Sequence, residues 1–276
     1  MSTPAASSRY LRARLRRLAL GLVCAPIFVF LMLPLVVVFP LSLSSAPYLQ
    51  FPPPGLSWRW YQSYFGDPVW IDATVRSLVI GATTTLASLA VGMPLAFSLV
   101  RGRYWGRKLL DRLAIAPLIV PTIIISVAIY GLFAKLKLIG AWYGIALAHT
   151  ILALPFVIII LGASLRGLDE DLEQAALGLG ASRWQVILRV TLPEIRPSIV
   201  TAAVLAFITS FDELVVAMFL AGPQMTLPKK MFDNIRMEID PTIAAVSVLQ
   251  ILIITAALLI AQRFGRGATP LDINGA

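Results

Sequence analysis

The stretch Asp169-Glu170-Asp171-Leu172-Glu173-Gln174-Ala175-Ala176-Leu177-Gly178-Leu179-Gly180-Ala181-Ser182-Arg183-Trp184 lies between two long apolar runs, and its reading decides the fold. It continues to Thr191-Leu192-Pro193-Glu194-Ile195-Arg196-Pro197. The pattern predicts two short helices. The first opens at Asp169, with Glu170, Asp171 and Glu173 in its first turns, where carboxylates suit the positive end of a helix dipole. Gly178 and Gly180 stop it. Ser182 opens the second, and Gln185 three residues on completes a capping box. Trp184, Ile187, Leu188 and Thr191 recur at helical spacing and form its expected apolar side. Pro193 and Pro197 are expected to end it. Such a unit either lies on lipid headgroups or faces a protein partner, and the residues alone leave both open.

Composition sets the surroundings of this stretch. Only 13% of the 276 residues are charged and 58% are hydrophobic, whereas a soluble domain carries about 25% charged residues. The apolar runs are about 20 residues long, which predicts a helical membrane protein rather than a barrel of roughly 10-residue alternating strands. A net charge of +9 would suit nucleic acid. The basic residues flank the apolar runs, however, so membrane topology explains them and no nucleic-acid partner is expected. The single cysteine, Cys24, lies inside the first run, cannot form an internal disulfide, and reads as a core or lipid-facing thiol.

The fold class expected is all-α, a polytopic membrane protein of six spans with both termini in the cytoplasm. Residues 1–18 form a basic N-terminal segment, 19–264 a transmembrane domain with the polar loop at 165–197, and 265–276 a tail. The spans are expected at about 19–43, 75–100, 113–134, 142–164, 198–220 and 243–264. The first is too long for a signal-peptide core of about 7–15 residues, and Pro26, Pro34 and Pro40 are expected to kink it. Residues 44–72 read as a loop. Its Trp58, Trp60, Tyr61, Tyr64, Phe65 and Trp70 suit either an interfacial belt or a ligand-stacking surface. Residues 135–140 read as a tight turn. His149 lies inside the fourth span with no acidic partner on that span, which favours a hydrogen-bonded packing residue over a proton relay. Sixteen Lys and Arg fall on the side holding the termini and the polar loop, against seven on the other. The first side is therefore the cytoplasmic one.

Enzymatic chemistry has no candidate residues. There is no GxxxxGK[ST] phosphate loop, so ATP binding by this chain is not expected. The Gly178–Gly180 pair lacks a preceding strand and a third glycine. No HExxH, CxxC or nucleophile-elbow pattern occurs. The feature that stands out is Asp212-Glu213, expected near the middle of the fifth span. A charge there costs about 2.5–3.5 kcal/mol on insertion scales, so such a pair persists only beside a polar cavity, a cation or a partner. Either it lines a substrate path, with Thr209 one turn away and Phe207, Phe211 and Phe219 near enough for cation–π contact, or it pairs with a neighbouring helix or a second subunit.

Ala175-Ala176, Gly180-Ala181, Leu192-Pro193 and Pro197 occur in the order and spacing of the EAA loop, and the segment resembles that loop in the membrane subunits of ABC importers. The resemblance implies that the loop is a coupling helix docking into a groove on a separate ATPase, with Glu173, Gln174, Ala175, Ala176, Gly180, Ala181 and Arg183 as candidate contacts. One departure stands out. Gln174 occupies the place where the family usually has Glu, and Glu173 lies one place early. Four further segments widen the match: Phe51-Pro52-Pro53-Pro54-Gly55-Leu56-Ser57-Trp58-Arg59-Trp60-Tyr61, Ala116-Pro117-Leu118-Ile119-Val120-Pro121, Ser210-Phe211-Asp212-Glu213-Leu214-Val215-Val216 and Thr226-Leu227-Pro228-Lys229-Lys230-Met231. Together they resemble the second permease of spermidine/putrescine-type importers. Relatives carrying opines, aminophosphonates or other small nitrogen compounds share them. The likeness implies a bacterial inner-membrane subunit paired with a homologous permease, an ATPase dimer that holds the ATP and magnesium, and an external solute-binding protein. No cofactor is implied in this chain. A stand-alone carrier or channel is the rival class, and the coupling loop argues against it.

Overall fold

A chain this apolar can cross a bilayer only if each segment satisfies its own backbone hydrogen bonds, which α-helices do. The computed structural model describes residues 4–237 and 240–265, and among these the one strand-like feature is a single bridge between Ser44 and Leu56. The helices are α1 (Pro4–Ser42), α2 (Arg59–Gly66), α3 (Pro68–Arg101), α4 (Arg107–Ile115), α5 (Thr122–Lys135), α6 (Trp142–Gly167), α7 (Glu170–Gly178), α8 (Arg183–Val186), α9 (Leu192–Glu194), α10 (Arg196–Phe211), α11 (Val215–Leu220), α12 (Leu227–Met237) and α13 (Thr242–Gly265). Most side chains of the basic N-terminal segment, and residues 266–276 of the expected tail, lie outside the described residues.

The helices fall into two compact units. One holds α1, α2 and α13 as far as Gln250. Within it, Trp60 Nε1 donates to the Ser44 carbonyl at 2.8 Å, and the Ser42 and Tyr61 hydroxyls meet at 2.9 Å. Trp60 and Tyr64 are buried. The expected loop 44–72 is therefore partly helical, and these two aromatics pack internally rather than form a belt. Trp58 and Phe65 stay exposed. Pro26, Pro34 and Pro40 all lie inside α1, which runs on as one helix through them.

The second unit holds α3 to α12 and α13 from Ile251. Its centre is α3, α6 and α10. Beside Trp70, Ile80 and Leu99, the buried side of α3 carries a stripe of small residues, Ala73, Ser77, Gly81, Thr84, Ser88, Gly92 and Ala96, the composition that lets membrane helices approach closely. A Cβ added at Gly92 would lie 2.7 Å from Val157 Cγ1, and one at Gly81 2.9 Å from Phe207 Cε2. Ala153, Val157, Leu161 and Leu165 of α6 meet Ala202 and Ala206 of α10 in the same core.

Among the described residues, four helices are long and apolar enough to cross a membrane: residues 20–42 of α1, α3, α6 and residues 242–263 of α13. Two expected spans are not single helices. Residues 113–134 bend by 104° between the segment ending at Leu118 and α5, because Pro117 and Pro121 each lack an N–H for the helical ladder. At 14 residues, α5 is about 21 Å long, short of the roughly 30 Å hydrocarbon core. Residues 198–220 break between α10 and α11 at Asp212–Leu214. The expected turn at 135–140 is present, with Lys137 and Gly140 at φ of 56° and 81°.

Candidate functional site

The polar loop folds as its capping residues dictate. The Asp169 carboxylate accepts from Asp171 N–H at 3.0 Å and caps α7. Gly180 takes φ of 87° in the turn, a conformation glycine adopts without a Cβ clash. Both halves of the capping box form: Ser182 N–H donates to Gln185 Oε1 at 2.8 Å, and Gln185 N–H to Ser182 Oγ at 3.3 Å. Pro193 does not end the second helix. It sits in the first turn of α9 after a π turn, Ile187–Thr191, in which Leu192 N–H reaches the Ile187 carbonyl. The wider turn accommodates a residue that has no N–H to give and whose ring would crowd a carbonyl one turn back. The break comes at Ile195, where the chain bends by 72° into α10.

The expected apolar side of this second helix also turns out differently. Val186 and Thr191 are buried, while Trp184 is 68% exposed and Leu188 is exposed. Leu179, in the glycine turn, is 90% exposed, and Leu172 and Leu177 are exposed as well. Of the candidate contacts, Gln174, Ala175, Gly180 and Arg183 are exposed, and Ala176 and Ala181 half-buried. Glu173 turns inward. Its Oε1 accepts from Thr191 Oγ1 at 2.8 Å, and its Oε2 lies 3.4 Å from Arg101 Nε. Arg101 also pairs with Glu170. Nothing in the spacing of Arg101 in the sequence marks it as a partner of the loop.

The second candidate cluster lies at the break after α10. Asp212 and Glu213 are not mid-helix residues. Asp212 ends α10 and is exposed. Glu213 is inward, and its carboxylate accepts from Val215, Val216 and Ala217 N–H at 3.0, 2.8 and 3.3 Å. It thus takes up the free donors at the start of α11, where a carboxylate is also favoured by the helix dipole. His149, 1% exposed on α6, joins from the other side. Its Nε2 lies 3.5 Å from Glu213 Oε2, and its Nδ1 2.8 Å from Ser210 Oγ. Ser210 Oγ donates to Thr84 Oγ1, and Thr84 Oγ1 to the Ala146 carbonyl. The acidic partner that the fourth span lacks is supplied by Glu213, two residues before α11.

The aromatic candidates divide. Phe211 is fully buried and stacks on Phe207, with centroids 5.4 Å apart. Phe207 and Phe219 are half-buried, and Phe219 meets Tyr130 edge-on. Thr209 Oγ1 bonds back to the Leu205 carbonyl. The amphipathic helix α12 was not foreseen, although Pro228 in its first turn is a start signal. Leu227 N–H donates to Ser77 Oγ at 2.8 Å, and Lys230 Nζ stands 5.1 Å from the Trp70 ring centroid.

A sequence pattern described as "Binding-protein-dependent transport system inner membrane component" matches residues 88–269. The chain belongs to this family of inner-membrane transport components. It is 36% identical over 203 residues to the putrescine transport system permease protein PotI of Escherichia coli K12, covering 71% of this chain and 72% of that one. It is 25% identical over 263 residues to the spermidine/putrescine transport system permease protein PotC of the same organism, covering 92% and 97%. The molybdenum transport system permease protein ModB, also of E. coli K12, is 30% identical and covers 72% and 95%. A bacterial ABC transporter involved in import of the acidic polysaccharide alginate shares the fold, with TM-score 0.72 at 15% identity, covering 96% and 99%. The family places the exposed α7–α8 loop and the break after α10 in an importer permease.

Proposed function

We propose that this chain is one of two permease subunits of an ATP-driven importer for a small cationic nitrogen compound of the polyamine class. It crosses the membrane six times, α4 with α5 counting as one crossing and α10 with α11 as another, with both termini and the α7–α8 loop in the cytoplasm. It performs no chemistry. ATP is hydrolysed on a separate ATPase pair that receives the loop, and an external binding protein delivers the cargo. The exposed apolar residues Leu179 and Trp184 support a protein partner at the loop, since each leaves apolar surface uncovered.

The observation that carries the cargo reading is the division of labour between the adjacent acids. Glu213 is spent on capping α11, and Asp212 stays exposed beside it at the break. A carboxylate at membrane depth suits an ammonium cargo that must be held and then released. The names of the relatives span putrescine and molybdenum, and the exposed acid favours the cationic cargo.

The test is uptake by the full complex, reconstituted from this chain and the neighbouring-gene subunits in proteoliposomes. Labelled putrescine, spermidine and molybdate are offered in turn. We expect ATP-dependent uptake of a polyamine. Asp212→Asn should lower it about ten- to hundredfold, the loss of one charged hydrogen bond of about 1.5–3 kcal/mol, with the ATPase still co-purifying. Unchanged uptake removes Asp212 from the path. Uptake of molybdate alone removes the cationic cargo, and ATP-insensitive uptake by this chain alone removes the importer.

A further inference from the structure

In the resemblance the loop acidic residue is an ATPase contact. The geometry here gives Glu173 a different occupation. One carboxylate touches three elements: its own helix α7, the last residue of α3 through Arg101, and the π turn before α9 and α10 through Thr191. Arg101 adds a second hold on α7 through Glu170. The side chains of Arg101 and Glu173 are 23% and 20% exposed, and Thr191 is fully buried.

An open cleft of about 410 Å3 lies between the end of α3 and the loop, lined by Phe97, Arg101, Glu173, Leu177, Val186 and Thr191. Arg101 Nε and Nη2 make no hydrogen bond, so the guanidinium holds the loop through Nη1 on Glu170 and through the charge of Glu173. These polar contacts stand beside the apolar packing of Phe97, Val100, Leu192 and Ile195.

We infer that Arg101, Glu173 and Thr191 form an internal joint that passes displacement of the α7–α8 loop to α3 and α10, with Arg101 and Thr191 as positioning residues for coupling. The inference rests on the importer reading above. It also accounts for the altered loop: Gln174 faces outward, while the acid one place earlier is used inside the chain. A partner pushing on the exposed Leu179 and Trp184 surface would move Glu173, and Glu173 would drag two core helices with it.

Two measurements test the joint. The first uses this chain alone in lipid nanodiscs and follows backbone amide exchange over residues 170–191, which needs no partner and no cargo. Thr191→Val deletes the donor at constant shape and should speed exchange of α7 amides several-fold, an effect of the size expected for one lost hydrogen bond. Thr191→Ser should restore the slow rate. The second uses the full complex and reads cargo imported per ATP hydrolysed. Thr191→Val and Arg101→Met should keep hydrolysis within about twofold of the parent while import per ATP falls about tenfold. Arg101→Met combined with Glu173→Gln should be no worse than the poorer single variant, since both break one unit.

Parent-like exchange and import per ATP in Thr191→Val would overturn the joint. So would multiplied losses in the double variant, which would assign Glu173 to the ATPase instead. If the parent complex imports nothing, the importer reading fails by itself, and the exchange experiment still decides whether the joint exists.

Discussion

Asp212 and Glu213 are neighbours with opposite duties. A helix that restarts inside a membrane exposes backbone N–H groups, and no water is there to take them. Glu213 answers three of them. Glu213→Ala should therefore destabilise the protein by more than the roughly 0.5–2 kcal/mol of an ordinary lost cap, read as a clear drop in thermal midpoint of the detergent-solubilised chain. Asp212→Asn should lower that midpoint less than Glu213→Ala does. Equal midpoints for both variants would show that Glu213 is no cap. The sequence announced that an acid pair at this depth had to be explained. It could not separate the two residues, because the separation depends on where α10 ends. That end is set by tertiary contacts from His149 and Thr84, which lie 61 and 126 positions away from Ser210 in the chain.

At the scale of elements, caps were legible and prolines were not. Ser182 with Gln185, and Asp169 before α7, act through backbone groups two or three residues away, so local spelling decides them. Pro193 has two possible outcomes, termination or accommodation by a wider turn, and the choice lies with what packs on Thr191 and Ile195. The glycine turn between α7 and α8 offers a test of what the hairpin faces. A Cβ at Gly180 would meet nothing within 4 Å in this chain, although its φ of 87° disfavours any side chain. Gly180→Ala carries that strain of about 1–2 kcal/mol without bulk. Gly180→Trp carries the same strain with bulk. We expect Gly180→Ala to keep ATPase co-purification and uptake, and Gly180→Trp to lose uptake while this chain still reaches the membrane. Equal behaviour of the two variants would mean that no partner closes over the turn.

For the molecule as a whole, the apolar runs named the membrane and the charge bias named a side. The number of crossings was harder to read, because residues 113–134 and 198–220 are apolar enough for a span yet are bent or broken by prolines and by the acid pair. Orientation can be checked directly, since Cys24 is the one cysteine. With Cys24→Ala as background, Leu179→Cys should react with a membrane-impermeant maleimide only in inside-out vesicles. Lys137→Cys should react only in right-side-out cells. The opposite pattern would invert the topology and remove the loop from any cytosolic ATPase.

The tight seating of Gly81 on Phe207 and of Gly92 on Val157 has a mechanical corollary. Helices fitted this closely have no slack to slide past one another, since even one added methyl would fall inside van der Waals contact. α3, α6 and α10 must then turn as one lever. Angular change finds least resistance where the helical ladder is already interrupted, as at residues 116–121, 195 and 212–214. The interruption at 212–214 thus borders the tightly seated α10, and Asp212 lies in it.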